Sequence, residues 1–304
     1  MESMKIGITG GTGFIGGYLS RAIEERGDEA IIFSRKSFLP TYLRNRKGIS
    51  LVTAQVPLPS DLEKIDILVN LSGEAVMGGR WSEARKEAIR FSRVEYSHEL
   101  IKNLKNSSKK PLAYLGGSAI GFYGMHETST PIFSEDSPPG EDFLAKLCVQ
   151  WEEASLQAES LGIRTCLLRT GIVLSPESGA LSQILTPFKA FVGGPIGSGN
   201  QAMSWIHILD TVRAILYLID SESKGIFNIT APNPKTNEVF SQTLASTINR
   251  PCFMRVPGIA IEALYGEGAN VVLKGQNVIP KRLLDLGFSF KFPELKECLE
   301  DLLK

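Results

Sequence analysis

The sequence has few cysteines, no surplus of either charge and no long apolar run. Its 304 residues include four cysteines, with no Cys-x-x-Cys pair and no histidine nearby at metal-ligand spacing, so neither a disulfide framework nor a metal site is predicted. Lys plus Arg and Asp plus Glu both number 33, which excludes the basic surplus typical of nucleic-acid binding. No segment approaches the ~18 apolar residues of a membrane helix, and a strand predicted from residue 5 argues against a secretion signal. We therefore expect a cytoplasmic protein with neither nucleic-acid nor membrane partners.

Glycine, by contrast, is plentiful, and it clusters near the start in the segment GITGGTGFIGG, residues 7–17. A predicted strand precedes this segment, and a predicted helix from Phe14 to Arg26 follows it. Gly10, Gly13 and Gly16 fall in the strand-to-helix turn, where they would permit the tight turn, the approach of a pyrophosphate and close helix packing. The free N–H groups of the helix N-terminus suit phosphate oxygens. The pattern predicts a dinucleotide site, and the alternative is a glycine-rich turn without a ligand. The residues predicted to contact the dinucleotide here are Gly10, Thr12, Gly13, Phe14, Ile15 and Gly16.

The end of the next predicted strand discriminates between the two nicotinamide dinucleotides. About twenty residues beyond the turn, an NAD site would place a carboxylate against the ribose hydroxyls. This chain has Ser34, Arg35 and Lys36 instead. Arg35 can pair with a 2′-phosphate through two parallel hydrogen bonds, whereas a carboxylate would repel it. Ser34 and Arg35 therefore predict NADP (NADPH) as the cofactor, unless Arg35 and Lys36 belong only to a solvated loop.

Further residues predicted to meet the cofactor lie at or after later strands. The apolar run Ile65–Leu71 is typical of a strand covered on both faces, and it ends at the sheet edge where ligands gather. Arg93, in the polar helical stretch Ser82–Lys105, could reach the cofactor phosphates or be a solvated helix arginine. Val173 ends a further strand whose backbone is expected near the nicotinamide amide, and Arg169 in that strand is a candidate for a buried ion pair. The predicted contacts at the end of the apolar run are Leu71, Ser72 and Gly73.

Alternating strand and helix patterns over residues 5–175 predict βαβ units. The expected fold is therefore α/β, a Rossmann-type doubly wound parallel sheet with a smaller C-terminal substrate-side lobe. After residue 175, prolines and glycines mark loops and short elements. We predict an NADP-binding domain over residues 1–175, to which about 203–230 add a helix capped by Asp210 and a strand. The smaller lobe takes most of 176–304.

Several segments resemble one protein family. TGGTGFIGG resembles the GxxGxxG turn of the extended and atypical short-chain dehydrogenases/reductases. Three later segments narrow the resemblance to the NAD(P)-dependent epimerase-like branch, whose C-terminal domain, here 250–304, has no assigned function. They are LLRTGIVLSPESGAL (167–181), FVGGPIGSGNQAMSWIHILD (191–210) and VLKGQNVIPKRLLDLGFSF (272–290). The resemblance covers essentially the whole chain. It implies the doubly wound fold and the label of nucleoside-diphosphate-sugar epimerase, and hence a small-molecule, nucleotide-linked substrate.

The resemblance also implies where a catalyst should lie, and the expected residue is missing. Short-chain reductases use a tyrosine whose pKa is lowered by a lysine four residues later, beside a Ser or Thr at a strand end. Residues 141–153, EDFLAKLCVQWEE, occupy the corresponding helix, but Asp142 stands four residues before Lys146. Ser118 and Tyr123, in SAIGFYG, resemble the hydroxyl and the Tyr-Gly pair of related enzymes. The candidate catalytic residues are Ser118, Tyr123 and Lys146. Their respective alternatives are a strand-end cap, a pocket-lining ring, and a ribose-binding or solvated lysine.

Two functional hypotheses follow from these residues. The first is an NADP-dependent oxidoreductase or epimerase that transfers hydride to or from a small or nucleotide-linked polar substrate. The second is an NADP-binding regulatory or scaffold protein with little turnover, which fits the missing tyrosine. The glycine-rich stretch 193–199, with Gln201, is expected to be either a mobile rim over the substrate or a rigid series of turns. A monomer or a homodimer is expected, because no exposed apolar stripe stands out.

Overall fold

The structure of the protein, a computed structural model, describes residues 3–304 as an alternation of strands and helices. The strands are β1 (Lys5–Thr9), β2 (Glu29–Ser34), β3 (Ile49–Thr53), β4 (Ile67–Asn70), β5 (Ala113–Ala119), β6 (Ile132–Phe133), β7 (Arg164–Thr170), β8 (Ile172–Leu174), β9 (Ala202–Met203), β10 (Trp205–His207), β11 (Gly225–Ile229), β12 (Lys235–Thr236) and β13 (Asn277–Val278). The α-helices are α1 (Phe14–Glu25), α2 (Pro59–Leu62), α3 (Glu83–Phe91), α4 (Val94–Asn106), α5 (Phe143–Leu156), α6 (Gly179–Lys189), α7 (Ile208–Asp220), α8 (Asn237–Thr247), α9 (Gly258–Tyr265), α10 (Asn270–Leu273), α11 (Lys281–Asp285) and α12 (Leu295–Leu303). Short 3₁₀ helices occupy Thr41–Leu43, Ile120–Tyr123, Gln157–Leu161 and Gly266–Ala269.

Seven of these strands form one parallel sheet in the order β11-β7-β5-β4-β1-β2-β3. The chain runs outward from β1 to β3 on one side, returns to β4 beside β1, and then runs outward to β11 on the other side. The order therefore reverses between β1 and β4, which is the topological switch point of a doubly wound sheet. This arrangement confirms the predicted fold class.

The sheet is apolar on both faces because helices cover both. Ile8, Ile32 and Val69 belong to the face on which α1 and α7 pack together. Leu68 and Tyr114 point the other way, to the face covered by α4 and α5. Adjacent residues in β4 thus point to opposite faces of the sheet, and helices cover both faces. This explains why the sequence of β4 is a continuous apolar run.

A second apolar core lies in the C-terminal half. Leu185, Trp205, Phe240 and Leu299, from α6, β10, α8 and α12, are buried together there. Two short strand pairs, β8 with β10 and β9 with β12, lie in the same half. Between these elements in the chain, β11 joins the edge of the large sheet and α7 packs against α1. The division of the chain into two domains near residue 175 stays a prediction.

Backbone and side-chain hydrogen bonds hold the glycine-rich stretch 193–199 in place. The N–H of Ile196 donates to Oδ1 of Asn237 (2.7 Å), and the N–H of Gly197 donates to the carbonyl oxygen of Val256 (2.9 Å). Nε2 of Gln201 donates to the carbonyl oxygens of Ile196 (3.1 Å) and Val272 (3.0 Å). These contacts are those expected of the series of turns; whether the stretch moves over a substrate stays a prediction.

The C-terminal segment connects this half to the loop that follows β5. Gly275 and His126 exchange both backbone hydrogen bonds, with N···O distances of 2.8 and 3.0 Å, and β13 pairs with β6. A Cβ on Gly275 would lie 2.0 Å from the carbonyl oxygen of Ala202, so only glycine fits between the two backbones.

Helix α7 begins two residues earlier than the sequence predicts. Nδ1 of His207 accepts the N–H of Leu209 (2.9 Å), so His207, and not Asp210, caps the helix. Asp210 is fully buried and accepts the backbone N–H groups of Lys291 and Phe292, both at 2.8 Å. It therefore holds the C-terminal segment against α7.

Replacing Asp210 by Ala tests this connection. The substitution leaves two N–H groups without their acceptor, and we expect the free energy of unfolding to fall by about 2–4 kcal/mol. Urea denaturation followed by circular dichroism measures the change. Asp220→Ala, at the other end of α7, removes a half-exposed carboxylate that pairs with Arg26 and should cost no more than about 1 kcal/mol. Equal losses for the two variants would contradict the role of Asp210.

Candidate functional site

A cleft of about 590 Å³ opens at the carboxyl ends of β1, β2 and β4. It lies at the switch point, where ligands bind in open α/β sheets. The predicted cofactor-binding residues that line it are Gly10, Thr12, Gly13, Ser34, Arg35, Leu71, Ser72 and Gly73. Sequence reasoning missed Ala54, Gln55, Glu74, Phe91 and Tyr96, which also line it. The position of Ala54 and Gln55 directly after β3 is a signal that could have indicated them.

The turn between β1 and α1 has the geometry of a phosphate cradle. Gly10 has φ +72°, and a Cβ there would lie 2.6 Å from the carbonyl oxygen of Leu71. A Cβ on Gly16 would lie 2.3 Å from the carbonyl oxygen of Gly10, so both positions require glycine. Gly13 is exposed at the start of α1, which has no side-chain cap and no acidic residue in its first turn. The N-terminus of α1 therefore favours an anion.

Three other residues predicted to contact the cofactor have side chains that pack away from the cleft. The ring of Phe14 lies against Gly179, where a Cβ would be 3.0 Å from its Cε1 atom. Ile15 and Val173 pack with the core cluster under α1 and α7. A contact from these residues to a dinucleotide would have to come from their backbone atoms, and it stays a prediction.

Arg35 lies at the end of β2, where a 2′-phosphate is expected. Its side chain is 68% exposed, and its Nη2 atom lies 3.6 Å from Oε1 of Glu74. Glu74 also lies 3.9 Å from the guanidinium of Arg85. Ion pairs this long and this exposed contribute at most about 1 kcal/mol. Arg35 can therefore exchange Glu74 for a phosphate at little cost.

Arg93 does not line the cleft. Its Nη2 donates to the carbonyl oxygen of Glu74 (2.9 Å) and its Nη1 to that of Ile89 (3.2 Å), and its guanidinium lies 5.2 Å from the centre of the Trp151 ring. A Cβ on Gly73 would be 3.0 Å from Cζ of Arg93. Arg93 thus supports the loop after β4 from below. Backbone carbonyls accept hydrogen bonds from its guanidinium, and a contact of Arg93 with the cofactor phosphates stays a prediction.

The phenol of Tyr123 is part of a buried polar network. It accepts a hydrogen bond from Nη1 of Arg169 (3.0 Å) and donates one to Oδ1 of Asn228 (2.7 Å). The side chain is 1% exposed, and burial raises the pKa of Tyr123. A catalytic acid must reach the reacting oxygen. The phenol of Tyr123 is therefore held in a buried network, and its role as proton donor stays a prediction.

Ser118 belongs to the same network. Its Oγ donates to Oε1 of Glu152 (2.6 Å), and the Glu152 carboxylate accepts two hydrogen bonds of 2.8 Å from Arg169. All three residues are buried. The ion pair foreseen for Arg169 is present, with Glu152 as the partner. The Ser118 hydroxyl therefore faces α5, and its role in polarising a substrate carbonyl stays a prediction.

Helix α5 presents apolar side chains to the turn after β5. Leu144 and Cys148, four residues apart, face this turn, since a Cβ on Gly121 would lie 3.4 Å from Leu144 Cβ and 3.9 Å from Cys148 Sγ. Burial raises the pKa of Cys148 to about 12, so the thiol stays protonated at neutral pH. Lys146 lies on the exposed side of the helix, whose N-terminus is capped by Oδ1 of Asp142. A catalytic or ribose-binding role of Lys146 stays a prediction.

Comparison with known proteins places the chain in a family. A model of the NAD dependent epimerase/dehydratase family matches residues 6–230, and a model of a domain of unknown function, DUF1731, matches residues 256–302. The chain belongs to the NAD dependent epimerase/dehydratase family. The predicted family resemblance is confirmed.

Similar members of the epimerase/dehydratase family match over nearly all of this chain. An epimerase family protein SDR39U1 homolog, chloroplastic, of Arabidopsis thaliana is 35% identical over 308 residues, which cover 100% of this chain and 88% of that protein. An epimerase family protein of Staphylococcus saprophyticus is 38% identical over 299 residues, covering 97% and 98%. The crystal structure of human epimerase family protein SDR39U1 (isoform 2) with NADPH is 31% identical and superposes with a TM-score of 0.86 over 98% of this chain and 99% of that one.

The described residues also bear on whether the chain has a membrane-spanning helix or a metal site. Among residues 3–304, no helix is both long and apolar enough to cross a membrane. In the same residues, His, Cys, Asp and Glu side chains form no group of three or more that could hold a metal ion.

Replacing Tyr123 by Phe tests its structural role. The substitution leaves Arg169 Nη1 and Asn228 Oδ1 without their shared partner, and we expect a loss of about 1–3 kcal/mol in the free energy of unfolding. Urea denaturation measures the loss, and NADPH fluorescence should show unchanged cofactor affinity. Tyr217→Phe removes an exposed phenol that donates to Leu286 and serves as the control, with little change expected. A fully stable Tyr123→Phe protein would refute the assignment.

Proposed function

We propose that the protein is an NADPH-dependent oxidoreductase of the short-chain dehydrogenase type, or an epimerase that uses the same cofactor. The observation that carries the proposal is the pairing of an uncapped, glycine-lined α1 N-terminus with the exposed Arg35 at the end of β2, on one cleft. The first feature suits a pyrophosphate and the second a 2′-phosphate. The NADPH in the crystal structure of human SDR39U1 supports this choice of cofactor.

The residues of the cleft fit this cofactor. The backbone around Gly13 would hold the pyrophosphate, because the side-chain position of this glycine is open. The one neighbour of a Cβ placed there would be the carbonyl oxygen of Gly10, at 3.1 Å. Arg35 and Lys36 would hold the 2′-phosphate, with the Ser34 hydroxyl beside them. When bound, NADPH supplies a hydride. The residues Leu71–Gly73 would position the nicotinamide half from the end of β4.

A second candidate function is an NADP-binding protein with little turnover. The observation that favours it is that α5 presents Leu144 and Cys148, and not a tyrosine with its lysine, to the turn after β5. Leu144 has no ionisable proton, and burial raises the pKa of Cys148 to about 12, so its thiol is a weak acid. Any proton that accompanies hydride transfer would then come from water or from the substrate itself.

Replacing Arg35 by Ala tests the choice of cofactor. Loss of a charge-assisted, bidentate contact should raise the Kd for NADPH by about 10- to 100-fold, since each 1.4 kcal/mol is a factor of ten. The Kd for NADH should not change, because NADH has no 2′-phosphate. Fluorescence titration of the bound dihydronicotinamide measures both constants.

Arg44→Ala is the matched control, because Arg44 is an exposed arginine of the same loop whose guanidinium donates to the Leu39 carbonyl oxygen outside the cleft. It should leave both constants as they are. Binding of NADH as tight as that of NADPH to the unsubstituted protein would overturn the proposal.

A turnover assay separates the two candidate functions. The protein is incubated with NADPH and a panel of aldehydes and ketones, and the absorbance of the dihydronicotinamide is followed at about 0.1 mM cofactor, which lies within the ordinary range of KM values. Oxidation above the protein-free rate, lost in Arg35→Ala at low cofactor concentration, supports the oxidoreductase. Tight NADPH binding without oxidation of any compound supports the binding protein.

A further inference from the structure

The carboxylate of Glu74 lies in the cofactor cleft and faces the guanidinium to which a 2′-phosphate would bind. Arg35 follows β2 and Glu74 lies in the loop after β4, and β1 lies between these two strands in the sheet. Adjacent strands are about 5 Å apart, so the two side chains bridge a gap of roughly 10 Å past the end of β1. Nη2 of Arg35 and Oε1 of Glu74 are 3.6 Å apart, and both residues line the cleft.

The backbone of Glu74 is fixed, so only its side chain can leave Arg35. Its N–H donates to Oγ of Ser92 (3.0 Å), and its carbonyl oxygen accepts a hydrogen bond from Nη2 of Arg93 (2.9 Å). Both partners lie between α3 and α4. The side chain of Glu74, by contrast, is 41% exposed, and its ion pairs with two guanidiniums are 3.6 and 3.9 Å long. The carboxylate can therefore move while the loop stays in place.

Arg85, on α3, is the second partner of this carboxylate. Its Nη1 lies 3.9 Å from Oε2 of Glu74, and its Nη2 donates to the carbonyl oxygen of Ala75, the next residue in the chain. Arg85 does not line the cleft, whereas Arg35 does. A phosphate in the cleft would therefore compete for Arg35 and leave Arg85 to the carboxylate.

The two nicotinamide cofactors differ in what they require of Glu74. NADPH brings a second anion to Arg35 and has to displace the carboxylate from it. NADH has a hydroxyl at the 2′-position and leaves the ion pair as it is. Because exposed ion pairs of this length are weak, the competition should change the affinity for NADPH a few fold without preventing binding.

We propose that Glu74 is a specificity-determining residue of the cofactor cleft. Its carboxylate competes with the 2′-phosphate for Arg35, and Arg85 holds the carboxylate once the phosphate is bound. The proposal rests on the NADPH-binding function and describes how the affinity of that same site is regulated. The consequence is a preference for NADPH over NADH that is smaller than Arg35 alone would give.

Fluorescence titration of the full chain with NADPH and with NADH tests the proposal. Glu74→Gln keeps the size of the side chain and removes its charge. We expect the Kd for NADPH to fall about two- to fivefold, and the Kd for NADH to change by less than about twofold. Because salt screens exposed charges, the gain in NADPH affinity should shrink when NaCl is raised from about 0.05 to about 0.5 M.

Arg85→Gln should shift the same balance in the opposite direction. Without Arg85 the Glu74 carboxylate is left with Arg35, so the Kd for NADPH should rise about two- to fivefold while that for NADH stays the same. In a protein that already carries Glu74→Gln, the substitution of Arg85 should change neither constant. A merely structural role of Arg85 would weaken both cofactors, and the loss would persist in the double variant.

Glu87→Gln is the matched control. Glu87 also lines the cleft, but its carboxylate accepts two hydrogen bonds from Arg90 (2.8 and 3.0 Å) and does not face Arg35. Its substitution should change either Kd by less than about twofold. If Glu87→Gln tightened NADPH as much as Glu74→Gln does, the total charge of the cleft would explain the gain, and competition for Arg35 would be overturned.

Failure of this inference differs from failure of the proposed function. If the unsubstituted protein does not bind NADPH, or binds NADH as tightly, the cofactor function itself fails. If the protein prefers NADPH but folded Glu74→Gln does not tighten NADPH, or tightens NADH equally, only the role of Glu74 is overturned. Circular dichroism establishes which variants are folded. If Glu74→Gln folds poorly, the opposite shift expected for Arg85→Gln decides the question.

Discussion

The close approach of the first crossover to the end of β4 is the constraint on which the cleft depends. Gly10 lies so near the backbone of Leu71, and Gly16 so near that of Gly10, that neither position has room for a Cβ. The buried hydrogen bond from Thr9 Oγ1 to Asn70 Oδ1 (2.6 Å) joins the same two strand ends. These contacts set the distance between the helix N-terminus and the loop after β4, and therefore the width of the cleft. A side chain at Gly10 or Gly16 would push the turn after β1 away from the loop after β4, and these are the two sides of the candidate dinucleotide site.

A second constraint, the buried pair of Arg169 and Glu152, lies across the ends of β5 and β7. An isolated charge at this depth would be strongly destabilising, so each member of the pair needs the other and the hydroxyls around them. Ser118 and Tyr123 satisfy that need with their hydroxyls. The residues of the candidate cofactor cleft and those of this buried network are therefore two separate sets. Fold membership therefore indicates the cofactor better than it indicates the reaction.

The fold and the place of the cleft could be predicted from sequence because their signals are local. Glycine spacing, apolar runs and the residue after β2 all lie within a few positions of what they determine. Even here, one predicted helical stretch, Ser82–Lys105, is two helices, because the chain turns at Ser92 and Arg93. The catalytic half could not be predicted in the same way. The partners that engage Tyr123 are 46 and 105 residues away, and the face of α5 that meets β5 is decided by tertiary packing.

The pairing of β13 with β6 also has a consequence for how the protein is made. Asn277 and Ser129, joined by a hydrogen bond in this pairing, are 148 residues apart. At about 5–20 residues per second, a ribosome needs roughly 7–30 s to deliver the second partner after the first. During that interval Phe133 and its aromatic neighbours lack the cover that Val278 gives them in the finished protein. Until Val278 is in place, the apolar side chains around Phe133 therefore lack one of the residues that bury them, and a chain that ends before residue 278 never completes this cluster.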